Sequence, residues 1–381
     1  MDSTIRSPAE FPAAPRLLSS NRHVYMVDWA RALTILAVVA VHAVRFGAQA
    51  AAPASEGLVQ LWLQVGREVF MAVTGFVLVY AYQGKPLPYV RFVHKRFLNI
   101  GVPYLIWLTV FLAMTVPIWP LTQFGGAWLA VLPTGNGHLY YLVITFQFYL
   151  LLPLWLLLQR RVPAWLLVGS TFAMQVAGFT LAQHGQEWAA PPLLFVTYLF
   201  DFALGAAAAK EWASVRAWAV RRRRRLLVLA PLGMAGVAVV YALAIRAGTA
   251  PVAAATVFQP LTPFYTAAIM GAILAAGTWF EEQRGHWPRL SSLVLVVADA
   301  SFGIYLVHMV ILHAATTWAW HHAGGLGPWG VSLFAFAAAL LGSIAFVRLV
   351  RRTPVAPYLI GQTRWTPPTR RPMPRPDAAP E

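Results

Sequence analysis

The 381-residue chain contains no cysteine. Disulfides, thiolate metal sites and a cysteine-bound acyl intermediate are therefore excluded. Charge is scarce: 11% of residues are Asp, Glu, Lys or Arg, against about 25% in an ordinary soluble domain. Carboxylates are scarcer still, with 13 Asp and Glu against 29 Lys and Arg. No His–x₃–His pair occurs and carboxylates do not cluster with imidazoles, so no metal site is expected. The N-terminal stretch "MDSTIRSPAEFPAAPRLLSSNRHVY" has no apolar core leading to a small-residue cleavage site. No cleavable signal peptide is expected, and the first membrane helix itself directs insertion.

What the chain does have is apolar length. Hydrophobic residues make up 59% of it, in runs near the roughly 20 residues that cross a bilayer as a helix. Ten spans are predicted, at 29–46, 62–82, 97–116, 138–158, 163–182, 192–209, 226–245, 261–280, 293–314 and 328–349. Pro and Gly punctuate the joints, as in "YQGKPLPY" and "VPIWPLTQFGG". The fold class expected is an all-α polytopic membrane protein with about ten transmembrane helices.

Lys and Arg orient the spans, because positive residues concentrate on the cytoplasmic side. With the N-terminus inside, 25 of the 29 fall in the inner loops, the N-terminal arm and the tail. The exceptions are Arg31, within the first span, and Arg45, Arg67 and Arg246 near the outer face. Both termini are thus expected in the cytoplasm, and the cell's inner (plasma) membrane is the expected location. The run "RRRRR" at 221–225 reads as a topology determinant that also meets anionic lipid headgroups, not as a nucleic-acid site. The expected division is an arm over 1–24, a transmembrane domain over 25–352 and a Pro/Arg-rich, disordered cytoplasmic tail over 353–381.

Ionisable residues inside spans are costly and mark sites or pathways. The first span, "MVDWARALTILAVVAVHAVRF", carries Asp28, Arg31 and His42. Arg31 and His42 are eleven residues apart, three turns, so they share a face about 16 Å apart along the axis. That spacing suits a long ligand with an anionic head inside and a reactive tip deep in the membrane, as in acyl-coenzyme A. Asp28, one turn before Arg31, is placed to orient it by an ion pair. In "VVADASFGIYLVHMVILH" the periodicity puts Ser301, Tyr305 and His308 on one face, with Asp299 pointing elsewhere and His313 near the outer end. Asp201 interrupts the sixth span and is expected to face the bundle interior, where it pairs with a cation or is kept neutral by burial, as a structural interhelix pair. Lys85, Arg91, Lys95 and Arg96 crowd the inner mouth, where positive-inside bias explains them and phosphate binding is open to them.

The Arg–ten residues–His spacing of "DWARALTILAVVAVH" resembles the acyltransferase 3 family of bacterial membrane acyltransferases. Further segments are similar to the family's in the same order: "REVFMAVTGFVLVY", "RFVHKRFLNIGVPYLIW", "GHLYYLVITFQFYLLLP", "FDFALGAAAA" and "SFGIYLVH". The resemblance runs from about residue 24 to 350. It implies transfer of an acyl group, commonly acetyl, from acyl-coenzyme A to a hydroxyl of a carbohydrate or glycoconjugate acceptor at the outer face. By position it implies His42 as catalytic base and Arg31, Arg91 and Arg96 as coenzyme-binding. Asp28, Asp201, Asp299, Ser301, Tyr305 and His308 are candidates to support the site. The chain departs from many relatives at the fourth span, where Tyr140, Thr145 and Phe146 stand and no carboxylate is present. This matches a Tyr/Trp-Leu subgroup, without the extracytoplasmic hydrolase-like domain that some members carry. The alternative is a transporter or flippase of a glycan or lipid-linked sugar, which would also place polar residues in spans. Inverted repeats, the better sign of a transporter, are not evident.

Overall fold

The apolar runs fold as helices. The computed structural model of the protein describes residues 23–48, 54–189, 193–251, 254 and 258–361. Among these no strand occurs, and nine helices are long and apolar enough to cross a membrane. The arm before residue 23 and the tail beyond 361, and with them the expected cytoplasmic termini, lie outside the described residues.

The helices needed below are α1 (Tyr25–Ala48), α2 (Ala54–Gln64), α3 (Gly66–Tyr82), α4 (Tyr89–Arg96), α5 (Val102–Ala113), α6 (Leu121–Val131), α7 (Tyr140–Arg161) and α8 (Ala164–Gln183). They continue as α9 (Leu199–Lys210), α10 (Trp212–Arg221), α11 (Arg223–Arg246), α12 (Thr262–Gln283), α13 (Pro288–His322), α14 (Gly327–Val350) and α15 (Ala356–Ile360). The first span sits at the centre. α1 packs against α2, α3, α12, α13 and α14, and its Ile35 and Val39 are fully buried. A helix surrounded in this way can hold polar side chains away from lipid, which is what Arg31 and His42 require.

Two joints are tighter than hydropathy suggests. The second span begins at Ala54, with α2 and α3 meeting at Val65. The third begins within the basic loop: α4 runs into α5 through a π turn over Phe97–Gly101. Pro103 stands one residue into α5 and withholds an N–H from the ladder, which a locally widened helix tolerates.

The expected sixth span, 192–209, takes a different form. Residues 195–198 form a 3₁₀ turn and only the 12 residues of α9 are regular helix. Irregular backbone at membrane depth must find partners inside the protein, and two glutamines supply them. Gln147 of α7 accepts from Phe195 N (2.8 Å) and donates to Leu193 O (2.8 Å). Gln175 of α8 accepts from Phe200 N (3.2 Å) and donates to Asp201 Oδ2 (3.2 Å). Asp201 is fully buried, and its interhelix partner is an amide.

α9 then lies along α3 in the same direction. Phe202 abuts Gly75, and the Gln83 side chain donates to Ala209 O (3.2 Å) near the far ends. The approach is set by Gly205, where a Cβ would lie 1.8 Å from Ala72 O. Backbone cannot yield as a side-chain tip can. Gly205→Val is therefore expected to force the two helices apart and to cost about 1–3 kcal/mol or more. The check is the melting temperature of the detergent-solubilised protein, and an unchanged melt would contradict this packing.

Residues 353–361 belong to the described part of the chain. α15 tucks under the bundle, with Trp107 Nε1 donating to Leu359 O (2.8 Å) and Ala356 and Ile360 fully buried. The buried side chains of Ala356 and Ile360 and the bond from Trp107 hold this short helix in place.

Candidate active site

Three helices contribute imidazoles to one place. His42 stands on α1, His308 on α13, and His138 on the 3₁₀ turn Gly137–Leu139 that leads into α7. Ring centroids lie 5.4 Å apart for His42–His308, 6.2 Å for His42–His138 and 5.0 Å for His138–His308. His138 and His308 are buried, whereas His42 is half-buried and faces a cavity.

Backbone carbonyls fix the proton positions on two of these rings, since a carbonyl only accepts. His308 Nδ1 donates to Tyr305 O (2.8 Å) and Ile304 O (3.1 Å), so its Nε2 carries the lone pair. That Nε2 is buried and has no hydrogen-bond partner among the described residues. His138 Nε2 donates to Tyr305 O (3.1 Å), which leaves its Nδ1 as the acceptor. Tyr305 completes the latch by donating its hydroxyl to His138 O. One residue of α13 thus holds the start of α7 in both directions.

The sequence "GNGH" makes this placement possible. Gly135 has φ +74, a conformation L side chains rarely adopt, and a Cβ there would lie 2.5 Å from Tyr140 N. The chain can therefore double back tightly and deliver His138 beneath the turn.

The cavity beyond His42 has a volume of about 930 Å³. It lies between α1, α2, α3, α7 and α13, at the end of α1 that the charge bias places outermost. Phe70, Tyr140, Tyr141, Tyr305 and Trp320 supply aromatic faces, and Arg45 and Arg67 supply cations. This is large enough for one or two sugar rings or a comparable molecule.

Three turns inward on the same face of α1, Arg31 Nη2 donates to Ser301 Oγ (3.0 Å). Tyr149 of α7 lies beside it, within electrostatic reach of the guanidinium, as do Asp28 and Asp299. Arg96 stacks over Tyr149 and Phe92, 5.1 and 5.3 Å from the ring centroids. A guanidinium on an aromatic face keeps its N–H edge free for phosphate or carboxylate. The inner end of this face of α1 is thus cationic and the outer end imidazole-lined. Ser301, Tyr305 and His308 connect the two along α13, as their periodicity predicts.

Other candidates go elsewhere. Asp28 pairs with His23 instead of Arg31, whose hydrogen-bond partner is Ser301. Asp299 pairs with Arg351, pointing away from the Ser301–Tyr305–His308 face as expected. Asp201 is bound to Gln175 behind α9. Arg91 is exposed, while Arg96, five residues on, is half-buried against Tyr149. Five residues on a helix turn a side chain by about 140°, so one surface of α4 does not present both. Two contributors escape sequence reasoning: His138 and the pair Arg67–Tyr140, joined by a hydrogen bond from Arg67 NH1 to the Tyr140 hydroxyl (3.2 Å). A survey of every imidazole at a span boundary would have flagged His138. Nothing local distinguishes Tyr140 from other interfacial tyrosines.

No group of three or more His, Cys, Asp or Glu among the described residues is arranged to hold a metal ion. The three imidazoles are accounted for by backbone hydrogen bonds and by the cavity. A family model described as an acyltransferase domain, that of acyltransferase 3, matches residues 24–348. The match takes in α1 through almost all of α14 and contains both Arg31 and His42. No curated protein and no solved structure matches the chain. The chain belongs to the acyltransferase 3 family and is a membrane-spanning acyltransferase.

Proposed function

We propose that the protein transfers an acyl group, acetyl in the simplest case, from cytoplasmic acyl-coenzyme A to a hydroxyl in the outer cavity. The acceptor is a glycan, a lipid-linked sugar or a sugar-bearing small molecule, and the membrane is the inner (plasma) membrane. The observation that carries this reading is the stripe on α1. A cation at one end and an imidazole facing a cavity at the other are separated by about 16 Å, the reach of an extended pantetheine arm.

Arg31 and Arg96 receive the anionic part of the donor at the inner mouth; Arg91, on another face of α4, meets it only at the surface. The arm then lies along Ser301 and Tyr305, which brings the thioester carbonyl beside the imidazoles. His42 takes the proton of the acceptor hydroxyl as its oxygen attacks the carbonyl carbon. The new C–O bond forms, the C–S bond breaks, and the coenzyme thiolate leaves and is protonated. His308, with its lone pair on Nε2 beside the His42 ring, holds His42 in place or passes the proton on. Tyr305 keeps the His138 and His308 rings fixed. Asp28, Asp201 and Asp299 act at a distance, by shaping the bundle and the inner mouth. Residues 25–352 constitute the transferase unit in this reading.

Sidedness provides the test. Acetyl-coenzyme A labelled on the acetyl carbon is supplied to inverted vesicles and, separately, to right-side-out vesicles carrying the protein. Ester-linked label and free coenzyme thiol are expected only in inverted vesicles, where the cytoplasmic face meets the donor. Movement of glycan across vesicles without acetyl-coenzyme A, and no label in any product, would instead establish the transporter reading.

A further inference from the structure

The outer cavity carries charge of one sign. Its lining includes Arg45, Arg67 and the imidazoles of His42, His138, His313 and His321, and it includes no Asp or Glu. Arg67 has a counter-charge beside it, with Glu68 Oε1 3.3 Å from its guanidinium, and a second partner in Tyr140. Arg45 has neither: it makes no ion pair and no hydrogen bond with any described residue. It stands three residues after His42, hence about 5 Å further out and on nearly the same face of α1. The charges of both arginines reach the His42 ring.

Membrane topology makes these arginines harder to explain as surface residues. Only four Lys or Arg in the whole chain depart from the cytoplasmic bias: Arg31, Arg45, Arg67 and Arg246. Arg31 sits on the donor path, and Arg45 and Arg67 both line the cavity. A positive charge placed against the orienting bias, turned toward a cavity and left without a carboxylate, is provision for an anion brought by a ligand. Arg67 keeps Tyr140 aligned and is already neutralised, so the open position is at Arg45.

We propose that the acceptor is anionic, with a phosphate or carboxylate bound by Arg45 while its reacting hydroxyl lies one turn further in at His42. The aromatic faces of Phe70, Tyr140 and Trp320 hold the sugar or apolar portion between them. A neutral glycan would leave Arg45, exposed at the cavity wall, without a counter-charge from either protein or ligand, and is the less complementary acceptor on that account. The proposal rests on the reading of this cavity as the acceptor site.

Binding without any acyl donor tests it, so that its outcome is separate from whether transfer occurs. The protein is placed in phosphatidylcholine nanodiscs and titrated, below micellar concentration, with octyl β-glucuronide and octyl β-glucoside, which differ by one carboxylate. Tryptophan fluorescence reports occupancy, since Trp320 lines the cavity. The glucuronide is expected to bind about tenfold or more tightly, with the preference abolished in Arg45→Gln and largely kept in Arg45→Lys. Equal affinities in the unmodified protein would overturn the proposal, as would a preference that survives in Arg45→Gln. If Arg45→Gln does not fold, the Lys variant decides: loss of preference there, with the charge intact, also overturns it. Repeating the titration in phosphatidylglycerol nanodiscs separates the two sources of anion. A preference that persists supports an acceptor anion, whereas its disappearance assigns Arg45 to a lipid headgroup and overturns the proposal.

Discussion

Replacing His42 by alanine is expected to lower acyl transfer by about 10²–10⁴-fold, the usual contribution of a positioned general base. The loss is expected on kcat, because in the proposed reaction the imidazole acts on the acceptor proton in the transition state and contributes little to holding the donor. The Michaelis constant for acyl-coenzyme A should stay within a few-fold of its original value, since the Arg31 end of the path is untouched. His42 is half-buried at a cavity wall, so its truncation leaves water in place of a ring and not a void in the core. The variant should therefore reach the membrane in normal amount and melt near the unmodified temperature. The measurement is initial-rate kinetics of coenzyme thiol release in the presence of an acceptor extract. Undiminished turnover would remove His42 from the reaction and turn attention to His308, whose Nε2 is a buried imidazole lone pair without a partner among the described residues.

The second large effect is expected at the opposite end of α1. Arg31→Ala should raise the Michaelis constant for acyl-coenzyme A by about 10–100-fold, with kcat at saturating donor changed much less. The size follows from the loss of one charge-assisted hydrogen bond, worth about 1.5–3 kcal/mol. A competing account is that Arg31 merely ties α1 to α13 through Ser301 (3.0 Å). Ser301→Ala separates the two, because it removes the tie and keeps the guanidinium. A donor-binding role predicts a Michaelis constant for Ser301→Ala close to the original. If Ser301→Ala matches Arg31→Ala in kinetics and in lowered melting temperature, the tie is the function and donor binding lies elsewhere. Arg31→Lys should recover only part of the affinity, since an ammonium cannot present the planar fork of a guanidinium to a phosphate.

The two ends of α1 differ in how they are held, and this bears on both experiments. At the inner end the polar groups are shared out in pairs: Arg31 with Ser301, Asp28 with His23, Asp299 with Arg351. At the outer end the rings of His138 and His308 are locked to the backbone while Arg45 is left open. A long ligand can thus be gripped at one end by a site already shaped and met at the other by groups with free valence. That asymmetry fits the proposed transfer from a coenzyme on one side to a second substrate on the other.

Much of this protein follows from sequence by itself, and the reason is that membrane insertion and helix periodicity are local properties. Hydropathy over about 20 residues decides a span, so the long helices appear where they are expected. A 3.6-residue repeat decides which side chains share a face, so Arg31 with His42, and Ser301 with Tyr305 and His308, line up without knowledge of any neighbour. The all-α class and the opposite heading of Asp299 come from the same rules.

Packing between distant segments decided the rest. Spacing on α4 sets Arg96 one turn from Phe92, but the second aromatic face comes from Tyr149, more than fifty residues away. Asp28 stands one turn from Arg31, but Ser301, from the far end of the chain, takes the Arg31 guanidinium, and Asp28 pairs with His23. The sixth span reads as one apolar run, but its irregular start depends on Gln147 and Gln175, residues on two other helices that satisfy its backbone. His138 becomes part of an imidazole cluster because Tyr305, from the far end of the chain, bonds to it at both side chain and backbone. Each of these is a choice among partners that are equally available in sequence and far from equal once the helices are packed.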